Sequence, residues 1–194
     1  MRKKCISALV IASVFVVADP LISNARADIV DDVIVDYRLG LYDDAFNRML
    51  HVADDNHPRA LFWVGTMYQK GRGTAVDFER AKEFYRRAAL LGNSDAQNNL
   101  GLMFKHGTGV QKDREKAFAW FSLAAANGNR IATNNRDRLE ITQGGPQKDR
   151  AQDIIVQFRQ DIQSYQPSVI EPDNDGGKKT AVANVRLKSD EGKT

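Results

Sequence analysis

The chain has 194 residues, 42% hydrophobic and 27% charged, a length that suits one domain with a modest core and leaves no room for two full enzyme domains. Its net charge of +3 is carried by residues 1–27, where Arg2, Lys3, Lys4 and Arg26 face only Asp19, so the remainder is formally neutral. That balance excludes a broad basic footprint for nucleic acid.

Met1 to Lys4 form a charged start, Cys5 to Ala18 an apolar run broken only by Ser7 and Ser13, and Ala25-Arg26-Ala27 a small-residue site before Asp28. This order reads as a signal peptide over residues 1–27, so the chain is expected to be exported, periplasmic or secreted, from a bacterium. The apolar run is shorter than the roughly 20 residues a spanning helix needs, and no second run follows. Cys5 is the only cysteine. The processed chain would therefore carry no disulfide, no cysteine-ligated zinc and no thiol nucleophile.

Residues 28–57 read as a degenerate helical unit. Asp28–Leu39 forms its first helix, Gly40 turns the chain, and Tyr42–Asp55 forms the second. The basis is a register of 36 residues that dominates the chain from residue 58 onward: Ala45, Val52 and Ala53 stand 36 positions before Ala81, Ala88 and Ala89. Residues 58–93 and 94–129 repeat one another. Ala60 falls on Ala96, Gly65 on Gly101, Met67 on Met103, Gly71 on Gly107 and Gly73 on Gly109. Further along, Asp77 meets Asp113, Glu79 meets Glu115, Ala88-Ala89 meet Ala124-Ala125, and Gly92-Asn93 meet Gly128-Asn129.

Each unit predicts two antiparallel helices. Ala60, Val64, Met67 and Tyr68 lie on one face of a 3.6-residue period. Gly65 and Gly101 sit inside the first helix, where glycine costs about 1 kcal/mol relative to alanine. Their repetition implies that a missing Cβ lets the partner helix approach. Gly71-x-Gly73 and Gly107-x-Gly109 end the first helix. Asp77 and Asp113 are expected to cap the second, which buries Ala81, Phe84, Tyr85 and Ala88, or Ala117, Trp120, Phe121 and Ala124.

Residues 130–165 read as capping helices. Ile131–Thr142 occupies a first-helix slot with Asp137 where glycine stood, Gly144-Gly145-Pro146 breaks it, and Gln147–Ser164 places Ala151, Ile154, Ile155, Phe158 and Ile162 on one face. Polar end units are what a short solenoid needs to seal its core. Residues 166–194 show no apolar period and read as a disordered tail.

No catalytic constellation emerges. No β-run precedes Gly71-x-Gly73 and no Lys-Ser/Thr follows it, so it is no phosphate loop. His51, His57 and His106 lack the spacing of a helix-borne zinc pair, and His57 precedes Pro58 at a helix start. Asp31-Asp32, Asp43-Asp44 and Asp54-Asp55 are adjacent residues that do not face one another on a helix. No Gly-x-Ser-x-Gly elbow exists. Neither a metal nor a cofactor is expected.

The spaced pattern, Ala-x-x-x-Val/Leu-Gly-x-Met-aromatic-x-x-Gly-x-Gly followed by Asp-x-x-Arg/Lys-Ala-x-x-aromatic-aromatic-x-x-Ala-Ala-x-x-Gly-Asn, resembles the Sel1-like repeat, a relative of the tetratricopeptide repeat. The resemblance implies an all-α fold, a short right-handed solenoid of helix pairs whose first helices line a concave groove. It also implies a scaffold that binds a protein or peptide, with asparagines at the sites of Asn99 and Asn135 holding a peptide backbone. An amide suits that task because it offers both a donor and an acceptor.

Candidate contacts on this face are Arg59, Phe62, Trp63, Asn98, Asn99, Asn134, Asn135 and Arg138. Trp63 departs from the asparagine pattern; it either anchors a partner or packs under the degenerate first unit. The asparagines either meet a ligand or bond between helices. Some exported proteins of this repeat class resemble penicillin-binding β-lactamases, but those are cysteine-rich and this chain is not. A cell-wall-associated structural role is the other alternative.

Overall fold

The computed structural model describes residues 20–139 and 145–167, with side-chain surroundings from Ile29 onward. The described residues form eight α-helices and no strand: α1 Pro20–Arg38, α2 Tyr42–Asp54, α3 Pro58–Lys70, α4 Phe78–Leu90, α5 Ser94–His106, α6 Arg114–Ala126, α7 Arg130–Asp137 and α8 Pro146–Ser164. Consecutive helices pack as a row of antiparallel pairs, which is the expected all-α solenoid.

The joints follow the expected chemistry. Asp77 and Asp113 accept hydrogen bonds from the Arg80 and Lys116 backbone N–H groups at 2.9 and 2.8 Å, as N-caps do. Asn93 and Asn129 do the same for Ala96 and Ala132, and His57 caps α3 through Nδ1. Gly71 and Gly107 close α3 and α5 in the left-handed conformation, at φ 63° and 75°.

The mid-helix glycines have the packing reason their repetition implied. A Cβ on Gly65 would stand 2.8 Å from the Tyr85 ring, and one on Gly101 would stand 2.5 Å from the Phe121 ring. Each aromatic ring of the second helix thus lies directly on the backbone of the first. Gly73 and Gly109 do more than end a helix. A Cβ on Gly73 would meet the Tyr42 carbonyl oxygen at 2.2 Å, and one on Gly109 would meet Phe78 Cβ at 2.6 Å. These second glycines are where the start of the preceding unit's second helix passes.

Arg72, between Gly71 and Gly73, ties the degenerate unit to the first full repeat. Its guanidinium donates to the Tyr37 hydroxyl at 2.7 Å and lies over the Tyr37 and Tyr42 rings. Its counterpart 36 residues on is Thr108, which cannot do this.

Two expectations change at the ends. The first helix, expected at Asp28–Leu39, is described over Pro20–Arg38 and runs through the expected Ala27–Asp28 junction. The helix expected at 131–142 ends at Asp137; Leu139 turns into the core and its carbonyl accepts from Arg114. The rest of the expected signal peptide, residues 140–144 and the tail beyond Pro167 lie outside the described residues.

The last helix does not extend the row by packing on α7. It lies across α6 and reaches α4. Phe158 stacks on Trp120 with centroids 4.3 Å apart, and Ala151 and Ile155 are buried beside it. The cause is in α6. Where α4 carries Glu83 and Arg87, α6 carries Ala119 and Leu123, both buried with Trp120, Ile155 and Phe158 in one cluster. Helix α6 is thus apolar on its outer side as well as its inner one, and α8 is the helix that covers it.

Candidate functional site

The first helices α3, α5 and α7 present their candidate side chains in a row. At its centre lies Tyr85, fully buried on α4, whose ring covers Gly65 and whose hydroxyl reaches the first-helix face. That hydroxyl donates to Gln69 Oε1 at 2.7 Å, with Thr66 Oγ1 at 3.2 Å. Asn99 also hydrogen-bonds it. Thr66 in turn donates to the Phe62 carbonyl. Asn98 donates weakly to Asn99 Oδ1 at 3.5 Å and accepts from Asn135 Nδ2 at 2.9 Å. The result is a polar ladder, Gln69–Tyr85–Asn99–Asn98–Asn135, across three first helices.

The predicted residues are therefore brought together unequally. Asn98 is buried and bridges α5 to α7, whereas Asn99 and Asn135 are half-exposed. Asn134 is exposed on α7, and Arg138 is exposed just beyond its end. Trp63 is half-buried, its ring edge-to-face with Tyr37 at 5.1 Å and next to Phe62 at 5.9 Å, so it packs under the first unit with part of its surface still open. Phe62 continues the aromatic chain to Tyr85. Arg59 is exposed and paired to Asp31 of α1 at 2.6 Å. A pair so open to water stabilises little and is screened by salt.

Gln69 and Tyr85 were not foreseen as parts of this face, yet the repeat holds their signal. Thirty-six residues on, Tyr85 becomes Phe121, Thr66 becomes Leu102 and Gln69 becomes Lys105. The hydroxyl and its partners change together, because a buried phenol needs hydrogen bonds that a phenyl ring does not.

Burial pushes the Tyr85 hydroxyl up to about 12 from an ordinary 10.0, against its hydrogen bonds with Thr66 and Asn99, which lower it. A phenol is neutral when protonated. Between pH 10 and 12 the unfolded chain loses this proton while the folded chain keeps it, so stability is fully present below about pH 10 and falls as pH rises toward 12. The unfolding free energy from denaturant titrations between pH 9 and 12 should fall by an amount on the order of 2 kcal/mol, and Tyr85→Phe should flatten that slope. An equal slope in both proteins would place the hydroxyl in water.

A cleft of ≈ 410 Å³ lies elsewhere, lined by Glu79, Lys82, Phe104, Val110, Asp113 and Lys116 between the start of α4 and the turn before α6. Lys82 pairs with Glu79, and Lys116 lies over Phe104. None of the first-helix candidates reaches it. Among the described residues, no group of three or more His, Cys, Asp or Glu could hold a metal ion, and no helix is long and apolar enough to cross a membrane.

Comparison with curated proteins found no match. Among solved structures, a protective antigen from uropathogenic Escherichia coli with an SLR fold superposes with a TM-score of 0.66 at 24% identity, over 79% of this chain and 35% of that one. A Sel1 repeat protein from Oxalobacter formigenes gives a TM-score of 0.56 at 28% identity, over 65% of this chain and 54% of that one. The chain thus spans between a third and about half of the length of these relatives. A family model described as the Sel1 repeat matches residues 58–93 and 94–129, the two units that the sequence register and helices α3 to α6 define. The chain thus carries two Sel1 repeats, at residues 58–93 and 94–129, within an all-α solenoid of that kind.

Proposed function

We propose that this protein is an exported, non-enzymatic scaffold whose concave first-helix face holds an extended segment of a partner protein. Sel1 repeat proteins are in general protein-interaction scaffolds. The observation that carries the reading here is the pair Asn99 and Asn135. They are half-exposed amides 36 residues apart on successive first helices, and the ladder behind them fixes their orientation. Two oriented amides one repeat apart can each pair with a main-chain amide of an extended ligand. Trp63 offers the open part of its ring at the N-terminal end of the same face. Export rests on the charged start, apolar run and Ala25-Arg26-Ala27 site.

Peptides selected from a display library on the purified protein should compete with one another for this face. Asn99→Ala and Asn135→Ala together should weaken the best of them by about tenfold or more, since each hydrogen bond contributes about 1 kcal/mol. Circular dichroism would confirm that the double variant is folded. Undiminished binding by the folded variant would move the site off the first-helix face.

A further inference from the structure

A solenoid with sealed ends carries polar outer faces on its terminal units, because nothing stacks on them. The described ends of this protein depart from that rule. On α1, Val33, Ile34 and Tyr37 face the core and Val35 lies on the opposite side, with Ile29 exposed at the edge of the core face and Leu39 and Leu41 just beyond the helix; Leu39 is 71% exposed. On α7, Ile131 is 65% exposed. Its position is the informative part. The equivalent residues one unit earlier, Ser94, Asp95 and Asn98, are those to which α7 and its cap hydrogen-bond, Asp95 keeping an exposed edge. Asn129 donates to the Ser94 carbonyl and to Asp95, and Asn135 donates to Asn98. On α7 the same three positions are Arg130, Ile131 and Asn134, all exposed. The surface that would receive a following unit is built and uncovered.

The two ends carry opposite charge. Residues 29–57 hold seven aspartates against Arg38 and Arg48. Asp36 is paired to Arg48 and Asp31 to Arg59, whereas Asp32, Asp43 and Asp44 are exposed and in no ion pair among the described residues. Residues 130–139 hold Arg130, Arg136 and Arg138 against Asp137. Arg136 pairs with Asp137, and Arg130 and Arg138 project from the α7 end without an ion pair among the described residues. An apolar strip rimmed by carboxylates at one end thus matches an exposed isoleucine rimmed by guanidinium groups at the other.

We propose that copies of this protein associate head to tail, the α1 outer face of one copy seating on the α7 end of the next. The occupant is a second copy because one chain supplies both complementary halves. The contact is heterologous, since its two surfaces differ, and so it adds copies in a row unless the rotation between them closes a ring. Such a row would lengthen the first-helix face beyond what two full repeats provide. Its charged rim makes the association weaken with added salt.

The test uses the protein purified as the cell produces it. Sedimentation velocity across roughly a hundredfold range of concentration should show the mean mass rising, and falling back as salt goes from about 0.05 to 0.5 M. A head variant, Asp32→Arg with Leu39→Arg, and a tail variant, Arg130→Glu with Ile131→Asp, change only exposed side chains. Each should remain folded by circular dichroism and be monomeric alone. Mixed in equal amounts they should form dimers and nothing larger, because the mixture retains one intact head and one intact tail. A wild-type protein that stays monomeric throughout would overturn the proposal. So would either variant associating by itself as wild type does, which marks a symmetric contact, or a mixture that stays monomeric.

Discussion

Gly101→Val is expected to destabilise the fold by about 3 kcal/mol, at the upper end of what overpacking a core costs. The melting temperature should fall by roughly 10 °C for a chain of this size. Even the first added atom would stand 2.5 Å from Phe121 Cδ1 and Cε1. Phe121 is fully buried in a cluster with Ala117, Ala124, Ala132 and Leu139, so its ring has no open space into which to retreat. The two helices must separate or the ring must leave the core. Phe121→Leu in the Gly101→Ala background should recover part of the loss, because a smaller side chain frees the space that the new Cβ takes. Gly65→Val should act in the same direction: its Cβ meets Tyr85 at 2.8 Å and the Ala81 carbonyl oxygen at 3.2 Å. Thermal melts of the three variants decide the matter. An unchanged transition for Gly101→Val would mean that the ring does not lie on the helix backbone.

Phe158→Ala should cost about 3–5 kcal/mol, the range for removing a buried aromatic side chain. Phe158 is almost wholly buried, stacked on Trp120 and packed in the cluster that holds Ala119, Leu123 and Ile155. Its removal would leave a cavity over the outer side of α6. The near-ultraviolet circular dichroism of Trp120 should change with it, since its stacking partner is gone. Chemical denaturation gives the free energy, and a loss under about 1 kcal/mol would mean that α8 is not docked over Trp120. Val156→Ala, on the exposed side of the same helix, is the matched control and should be nearly neutral.

Much of the architecture was legible in the 36-residue register. A glycine recurring inside two helices can be read as a close approach even before the partner is known, and Tyr85 and Phe121 prove to be the approaching groups. The caps were legible for a similar reason. Asp77, Asn93, Asp113 and Asn129 each bond an N–H three residues ahead, an interaction local enough to be written in the sequence.

The first-helix face was legible as a set of positions, and its internal division was not. Asn98 and Asn99 are neighbours of the same type, yet one is buried as a bridge to α7 and the other half-exposed beside Tyr85. Side-chain type sets what an amide can bond, and only the neighbouring helix sets which amide is already bonded. Trp63 shows the same limit, since its contact with Tyr37 depends on where α1 lies.

The sequence by itself determined the repeat, its helix boundaries and most of its core, because period, caps and turn glycines act over a few residues and are written twice. The tertiary structure decided what depends on contacts between distant segments. It laid α8 across the outer side of α6, where Ala119 and Leu123 replace charged residues. It linked Gln69, Tyr85, Asn99, Asn98 and Asn135 into one ladder, and it left Leu39 and Ile131 uncovered at opposite ends. Burial and hydrogen-bond partnership belong to pairs of surfaces, and a surface has no partner until the chain has folded.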